Sequence, residues 1–178
     1  MVDCYADANF VGLWGHENTQ GSICAGSRTG FLVNFSNCPL LWVSKTQTDI
    51  ALSTLHSEYV SLSHSFRALL TLNIIIKEVI YNLGIDSEKM KFVSSSTIYK
   101  YNNRAIVVTT SPSISPIPKH ISVKYHWFGQ QIERGFVIRK VESENQKADI
   151  FTKGLQGQIF VRIMKLLCGW QAFRQEVV

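Results

Sequence analysis

The feature that most constrains the fold is the order of hydrophobic patterns in the first half of the chain. Three runs of aromatic and β-branched residues, separated by Gly, Asn and Pro turn signals, are predicted to be strands: CYADANF, RTGFLVNF and PLLWVSK. From Ser53 the apolar residues change to three- and four-residue spacing, which predicts a helix with Ser53 as its N-cap and a stop at Asn82-Leu83-Gly84. We therefore expect an antiparallel meander of three strands followed by one long helix.

The second half of the chain alternates between the same two kinds of pattern. A strand is predicted over STIYKYNN, a loop over TTSPSISPIP with its three prolines, a helix over KHISVKYHWFGQQIERG, and a strand over FVIRKV. Two more helices are expected from Glu144 to Gly154 and from Gln158 to Trp170. This order of elements predicts an α/β protein in which helices flank a mixed sheet.

The length and composition indicate one domain. A chain of 178 residues with 46% hydrophobic residues buries one substantial core, so residues 1–178 are expected to form a single domain. No continuous apolar run approaches the ~18 residues that span a bilayer, so we expect no membrane partner and an intracellular protein. The cysteines at positions 4, 24, 38 and 168 form no CxxC pair and are expected to be reduced, mostly buried packing residues.

The positive charge is concentrated in the last third of the chain. Residues 1–118 hold eight Lys or Arg and eight Asp or Glu, whereas residues 119–178 hold ten and five. A basic region near an acidic site suits a polyanionic substrate, because its phosphates must be neutralised. A solvated basic face without a partner fits the charge equally well.

Three carboxylates stand at the edges of apolar segments and not on faces of mixed charge. Asp7 ends the run VDCYAD, Glu58 lies in ALSTLHSEYVSL, and Asp149 lies in ENQKADIFTKGL. If the fold brings them together, they are candidate metal ligands and catalytic residues. The alternative interpretation is that Asp7 is a turn acid and Asp149 an acid on a helix surface.

Six blocks in order carry a resemblance to a known family: YADANFVG, SRTGFLV, PLLWVSKTQTDIALSTLHSEYVSLS, IYKYNNRAI, KHISVKYHWF and ENQKADIFTKGL. They resemble the ribonuclease H domain of copia-type retrotransposon Pol polyproteins, from about residue 3 to about residue 170, with a short C-terminal tail. The resemblance implies a ribonuclease H-like fold with a mixed five-stranded sheet, in which parallel strands are added to three antiparallel ones. It also implies four acids that bind two Mg²⁺ (or Mn²⁺) ions and cut the RNA strand of RNA/DNA hybrids.

The family's four acids map onto three acids and one tyrosine in this chain. By resemblance, Asp7, Glu58 and Asp149 are the catalytic metal ligands, whereas Tyr101 stands where the motif Y-x-D-N has aspartate. A tyrosine hydroxyl titrates near 10 in model peptides, so at neutral pH it is a neutral, poor ligand for Mg²⁺. We therefore expect weakened metal binding and cleavage reduced by orders of magnitude, with Tyr101→Asp recovering some activity.

The resemblance also suggests partners and nucleic-acid contacts. Lys45, Lys119 and His120 are predicted to contact phosphates near the site, because they lie in segments that should frame it. The expected partners are an RNA/DNA hybrid and the reverse transcriptase domain of the same polyprotein, in a cytoplasmic retrotransposon particle or in the nucleus. Trp14, Trp42, Trp127 and Trp170 are expected to be core residues and not platforms for stacking bases.

Two functions remain open at this point. The first is a metal-dependent ribonuclease H with impaired activity, and the second is a catalytically dead remnant that folds and binds nucleic acid only. A third class, a nucleic-acid-binding module without nuclease ancestry, requires Asp7, Glu58 and Asp149 to lie far apart.

Overall fold

A five-stranded mixed sheet forms the centre of the protein in a computed structural model, which describes residues 2–12, 25–85, 96–110, 127, 130–132 and 135–169. The strands are β1 (Val2–Asn9), β2 (Arg28–Phe35), β3 (Cys38–Thr46), β4 (Ser96–Lys100) and β5 (Val137–Lys140). Their order across the sheet is β3-β2-β1-β4-β5. The first three strands pair antiparallel, while β4 pairs parallel to β1 and β5 parallel to β4. The predicted sheet is therefore confirmed.

The described helices are α1 (Thr54–Asn82), α2 (Asn103–Thr110) and α3 (Gly157–Leu167). Helix α1 begins and ends where the sequence predicts. The side chain of Ser53 accepts a hydrogen bond from the backbone N–H of His56 at 3.1 Å, and Gly84 has a positive φ of 65° after the last turn. The local capping residues thus set both ends of the longest helix.

Helix α1 packs against one face of the sheet. Its residues Tyr59, Leu62, Phe66 and Leu69 join side chains of β1, β2 and β4 in the buried core: Val2, Cys4, Ala6, Phe31, Val33 and Ile98. By length and composition α1 is long and apolar enough to cross a membrane, yet half of its most apolar 18-residue window is buried inside the fold. Its buried side therefore forms the core of the domain.

One helix prediction needs correction. The helix expected from Glu144 to Gly154 is replaced by two short 3₁₀ helices, Ser143–Asn145 and Lys147–Phe151. The cause is Gln146, whose side chain accepts from the backbone N–H of Ala148 and donates to the carbonyl oxygen of Ala6 at 3.2 Å. This side chain interrupts the helix and attaches the segment to β1.

Helix α2 was not predicted, because its β-branched residues and the proline-rich segment that follows favour a strand and a loop. The side chain of Asn102 accepts from the backbone N–H of Ala105 at 3.1 Å and caps its first turn. Most of the helix predicted from Lys119 to Gly135 lies outside the described residues, although Trp127 and residues 130–132 are helical.

The cysteine prediction is correct for Cys4 and wrong for two others. Cys4 is buried in the core, whereas Cys38 and Cys168 are exposed, and all three are free thiols. Trp42, expected in the core, is 60% exposed because β3 is an edge strand whose Trp42 faces away from α1. Cys24, Trp14 and Trp170 lie outside the described residues.

Candidate active site

Parallel pairing of β1 and β4 brings the first and fourth positions of the predicted site to the same edge of the sheet. Tyr5 pairs with Tyr99, so Asp7 on β1 and Tyr101, directly after the end of β4, each lie two residues beyond that pair. Both side chains line an open cleft of about 610 Å³. Glu58, in the second turn of α1, lines the same cleft. The structure therefore brings Asp7, Glu58 and Tyr101 together, and Tyr101 is 48% exposed.

Asp7 is buried and held from two sides. One of its carboxylate oxygens, Oδ2, accepts a hydrogen bond from the Thr152 hydroxyl at 2.5 Å and lies 3.4 Å from the Lys153 ammonium. The backbone oxygen of Asp7 accepts from the Ser61 hydroxyl of α1 at 2.5 Å. These contacts fix the position of Asp7 between α1 and the segment that follows the second 3₁₀ helix.

Asp149 lies beside Asp7 but outside the lining of the cleft. Its Oδ1 accepts from the Lys153 ammonium at 2.9 Å, so the same lysine joins Asp149 to Asp7. Burial and, to a smaller extent, the negative charge of Asp7 raise the pKa of the Asp149 carboxyl to about 6, while Lys153 acts in the opposite direction. At neutral pH the three groups form a carboxylate–ammonium–carboxylate bridge.

Glu58 is paired with a cation from inside the fold. The Lys100 ammonium is in contact with Glu58 Oε2 and donates a hydrogen bond to the carbonyl oxygen of Ala6 at 3.1 Å. Only 1% of the Lys100 side chain is exposed. Burial raises the pKa of the Glu58 carboxyl, and the Lys100 charge opposes that shift. Lys100 is the last residue of β4 and directly precedes Tyr101.

The residues of this site do not fit the two divalent ions that the family resemblance implies. Carboxylate oxygens are suitable ligands for Mg²⁺ or Mn²⁺, but each of the three acids is already paired with an ammonium group of the chain. The fourth position offers a neutral hydroxyl from Tyr101. Among the described residues, no three His, Cys, Asp or Glu side chains are grouped so that they could hold a metal ion.

The proposed phosphate contacts have different outcomes. Lys45 is exposed on the edge strand β3, opposite Thr29, and does not line the cleft. Lys119 and His120 lie outside the described residues.

Sequence reasoning missed several residues of the site. The cleft also contains the basic residues Arg104, Lys140 and Lys153, and Lys100 lies beneath it. Two signals could have drawn attention to the lysines. Lys153 belongs to the quoted block ADIFTK, and Lys100 is a charged residue within a predicted strand, where a charge needs a partner.

Comparison with known proteins finds relatives among transposon polyproteins, and no protein-family model matches the chain. The chain is 27% identical over 128 residues to the retrovirus-related Pol polyprotein from transposon TNT 1-94 of Nicotiana tabacum, which covers 71% of the chain and 9% of the polyprotein. It is also 27% identical over 160 residues to that from transposon RE2 of Arabidopsis thaliana, covering 89% of the chain and 10% of the polyprotein. The chain therefore spans about a tenth of the length of these relatives.

Solved structures of ribonucleases H share the fold. LC11-RNase H1, isolated from compost by a metagenomic approach, superimposes with a TM-score of 0.55 at 14% identity, covering 84% of this chain and 91% of that one. The same enzyme in complex with an RNA/DNA hybrid gives a TM-score of 0.53 at 15% identity, covering 85% and 93%. The chain is therefore similar in sequence to retrovirus-related Pol polyproteins from transposons and has the fold of the ribonucleases H.

Proposed function

We propose that this domain binds RNA/DNA hybrids in the cleft and that its metal-dependent cleavage is lost or reduced by orders of magnitude. The observation that carries the proposal is the position of Tyr101, which lines the same cleft as Asp7 and Glu58. The family resemblance implies an aspartate at this position.

Hybrid binding is supported by the basic side chains around the cleft. The cleft is lined by Arg104, Lys140 and Lys153. The side chains of Arg104 and Lys140 are exposed to solvent and therefore accessible to a ligand. Phosphate backbones bind such clusters because the basic groups neutralise their charge and release counterions. The ribonuclease H complex with an RNA/DNA hybrid supports the choice of ligand, because its fold is the same. Lys45 and the two predicted contacts Lys119 and His120 remain proposed phosphate contacts.

Loss of cleavage follows from the chemistry of the cleft. Two divalent ions, Mg²⁺ or Mn²⁺, would activate a water and stabilise the leaving oxygen in the family reaction, worth several kcal/mol of charge stabilisation. The carboxylates Asp7, Glu58 and Asp149 would be their ligands. Replacement of the fourth acid by a neutral hydroxyl removes one ligand, and the paired ammonium groups compete for the other three. The site is therefore proposed to bind the two ions poorly or not at all, and the chain to be a ribonuclease H-like domain that binds hybrids without efficient cleavage.

The polyprotein relatives suggest the context of binding. We propose that the domain works beside the reverse transcriptase domain of the same polyprotein, inside the cell, in a retrotransposon particle or in the nucleus. A domain that holds the hybrid without cutting it would leave the RNA strand intact.

The experiment compares hybrid binding and cleavage by the wild-type domain, Tyr101→Asp and Tyr101→Phe in Mg²⁺ and in Mn²⁺. Binding is measured by fluorescence anisotropy of a labelled hybrid in EDTA, and cleavage of its RNA strand by gel electrophoresis. All three proteins are expected to bind, Tyr101→Asp is expected to cleave faster than wild type, and Tyr101→Phe is the matched control that restores no carboxylate. Equal, robust cleavage by wild type and Tyr101→Asp, or no binding by wild type, would contradict the proposal.

A further inference from the structure

Lys100 is a fully buried cation with two partners. Its ammonium contacts Glu58 Oε2 and donates to the carbonyl oxygen of Ala6. Among the described residues, the ion pair with Lys100 is what compensates Glu58 Oε2, which accepts no other hydrogen bond. A buried lysine is tolerated only when its charge is paired. Neither charge is therefore expected to be stable in this buried position without the other.

The position of Lys100 makes this pairing relevant to metal binding. Glu58 lines the cleft, and Lys100 contacts Glu58 from the interior of the fold. The parallel register of β1 and β4 explains this position, because it places Lys100 beside Ala6, one residue before the level of Asp7. A divalent ion shared by Asp7 and Glu58 would have to approach a carboxylate whose charge Lys100 already neutralises.

The two lysines of the cluster differ in how far they are enclosed by the fold. Asp7, Glu58 and Asp149 carry three negative charges, and Lys100 and Lys153 carry two positive charges, which leaves one net negative charge. The Lys153 side chain is 40% exposed and can turn into solvent, whereas only 1% of the Lys100 side chain is exposed, so its ammonium is enclosed beside Glu58. The two lysines thus differ in whether an arriving ion could displace them.

We propose that Lys100 is a built-in counter-ion that takes the place of a divalent ion as the charge partner of Glu58. The domain then folds without divalent ions, and Tyr101→Asp alone restores only part of a metal site. This inference rests on the proposed function only in taking the cleft as the former metal site. It does not depend on hybrid binding.

The test measures thermal unfolding of the wild-type domain, Lys100→Gln and Lys100→Arg in EDTA and in ~10 mM MnCl₂, since an ion that binds only the folded state raises Tm. Wild type and Lys100→Arg, which keeps the charge, are expected to shift by less than about 1 °C. Lys100→Gln is expected to unfold at a lower temperature in EDTA and to recover by at least about 4 °C in Mn²⁺. Calorimetric titration should then show Mn²⁺ affinity at least about tenfold higher for Lys100→Gln than for wild type.

One further variant and one further condition make each outcome decisive. The double variant Glu58→Gln/Lys100→Gln lacks both charges and is expected to fold with no Mn²⁺ response, whereas a persisting response would locate the ion elsewhere and overturn the proposal. If Lys100→Gln does not fold in EDTA, Mn²⁺ must restore folding, and failure to do so also overturns it. A wild-type Mn²⁺ shift as large as that of Lys100→Gln would do the same.

A cleavage assay distinguishes failure of this inference from failure of the proposed function. Tyr101→Asp with Lys100 in place is expected to cleave at least about tenfold more slowly than Tyr101→Asp/Lys100→Gln. Equal rates for the two would overturn the role of Lys100 and leave the role of Tyr101 intact. Robust cleavage by wild type would instead overturn the proposed function.

Discussion

The ammonium of Lys100, the last residue of β4, lies against the carboxylate of Glu58 in the second turn of α1, and both side chains are buried. The pair joins the sheet to the helix at the floor of the cleft. It also connects residues that are 42 positions apart in the chain, so no local pattern reports it. Its energetic consequences follow from the cost of leaving one buried charge alone.

Removing one member of this pair is expected to destabilise the domain more than removing both. In EDTA, Lys100→Met and Glu58→Gln should each lower the free energy of unfolding by about 3 kcal/mol, because each leaves a buried charge or polar group without its partner. The double variant should be closer to wild type than the sum of the two losses. Urea denaturation of the four proteins measures the coupling. Strictly additive losses would show that the two side chains do not form a pair in solution.

Gly30 is expected to be required for the close approach of the 147–152 segment to β2. It pairs with Asp7 across the sheet, and a Cβ atom there would lie 2.5 Å from Cγ2 of Thr152 and 2.9 Å from Cβ of Phe151. Gly30→Ala should therefore cost about 2 kcal/mol through overpacking and displace the Thr152 hydroxyl from Asp7.

The matched control for this substitution is Gly154→Ala. An added Cβ at Gly154 meets nothing within 4 Å, so the change should alter stability by no more than about 0.5 kcal/mol. Similar unfolding free energies for the two alanine variants, measured by urea denaturation, would contradict the packing described here.

Arg104 is expected to contact the phosphates of a bound hybrid. It is exposed at the start of α2 and lines the cleft, so Arg104→Glu should weaken hybrid binding about tenfold and lower the salt dependence of the affinity. Lys77→Glu is the control with the same change of charge, since Lys77 is exposed 19 residues beyond Glu58 on α1, about 28 Å along the helix. Anisotropy titrations at several salt concentrations measure both variants. Equal losses of affinity in the two variants would indicate that the positive charge of the domain attracts the hybrid without a defined binding site.

Cys4 is expected to be unreactive in the folded protein. Burial raises the pKa of its thiol to about 12, so at pH 8 the folded state holds almost no thiolate at this position. The raised pKa keeps the thiol protonated until the pH approaches 12 or the protein unfolds. Cys38 and Cys168 are exposed and should react with a disulfide reagent at least about 10³-fold faster.

The reagent experiment uses Cys4→Ala as its reference. Wild type and Cys4→Ala should release the same amount of product when native, and wild type should release one equivalent more after denaturation. A rapid extra equivalent from native wild type would place Cys4 outside the core.

The parts of the fold that could be predicted from sequence are those that depend on local patterns. The first three strands, β4, β5 and α1 follow from residue spacing, turn residues and the Ser53 cap. Helix α2 could not be predicted, because its β-branched residues favour a strand and its stability comes from the Asn102 cap and contacts with α1 and β5. The segment from Ser143 to Phe151 departs from the prediction because Gln146 bonds to β1, 140 residues away.

The same distinction applies to the site. Asp7, Glu58, Asp149 and Tyr101 were selected by motif, and the structure places Asp7, Glu58 and Tyr101 on one cleft with Asp149 linked through Lys153. Motifs report which residues occupy the family's positions. They do not report which charges within the fold compensate them. Asp149 and Lys153 are four residues apart in sequence, but the contacts of Lys153 with Asp7 and of Lys100 with Glu58 could be seen only in three dimensions.

The most direct test of the account is a crystal structure of the wild-type domain soaked in ~10 mM MnCl₂, with anomalous diffraction locating the ion. The account predicts no Mn²⁺ within about 2.3 Å of a Glu58 oxygen, with the Lys100 ammonium still against that carboxylate. Two Mn²⁺ ions shared by Asp7, Glu58 and Asp149, with Lys100 displaced from Glu58, would contradict it.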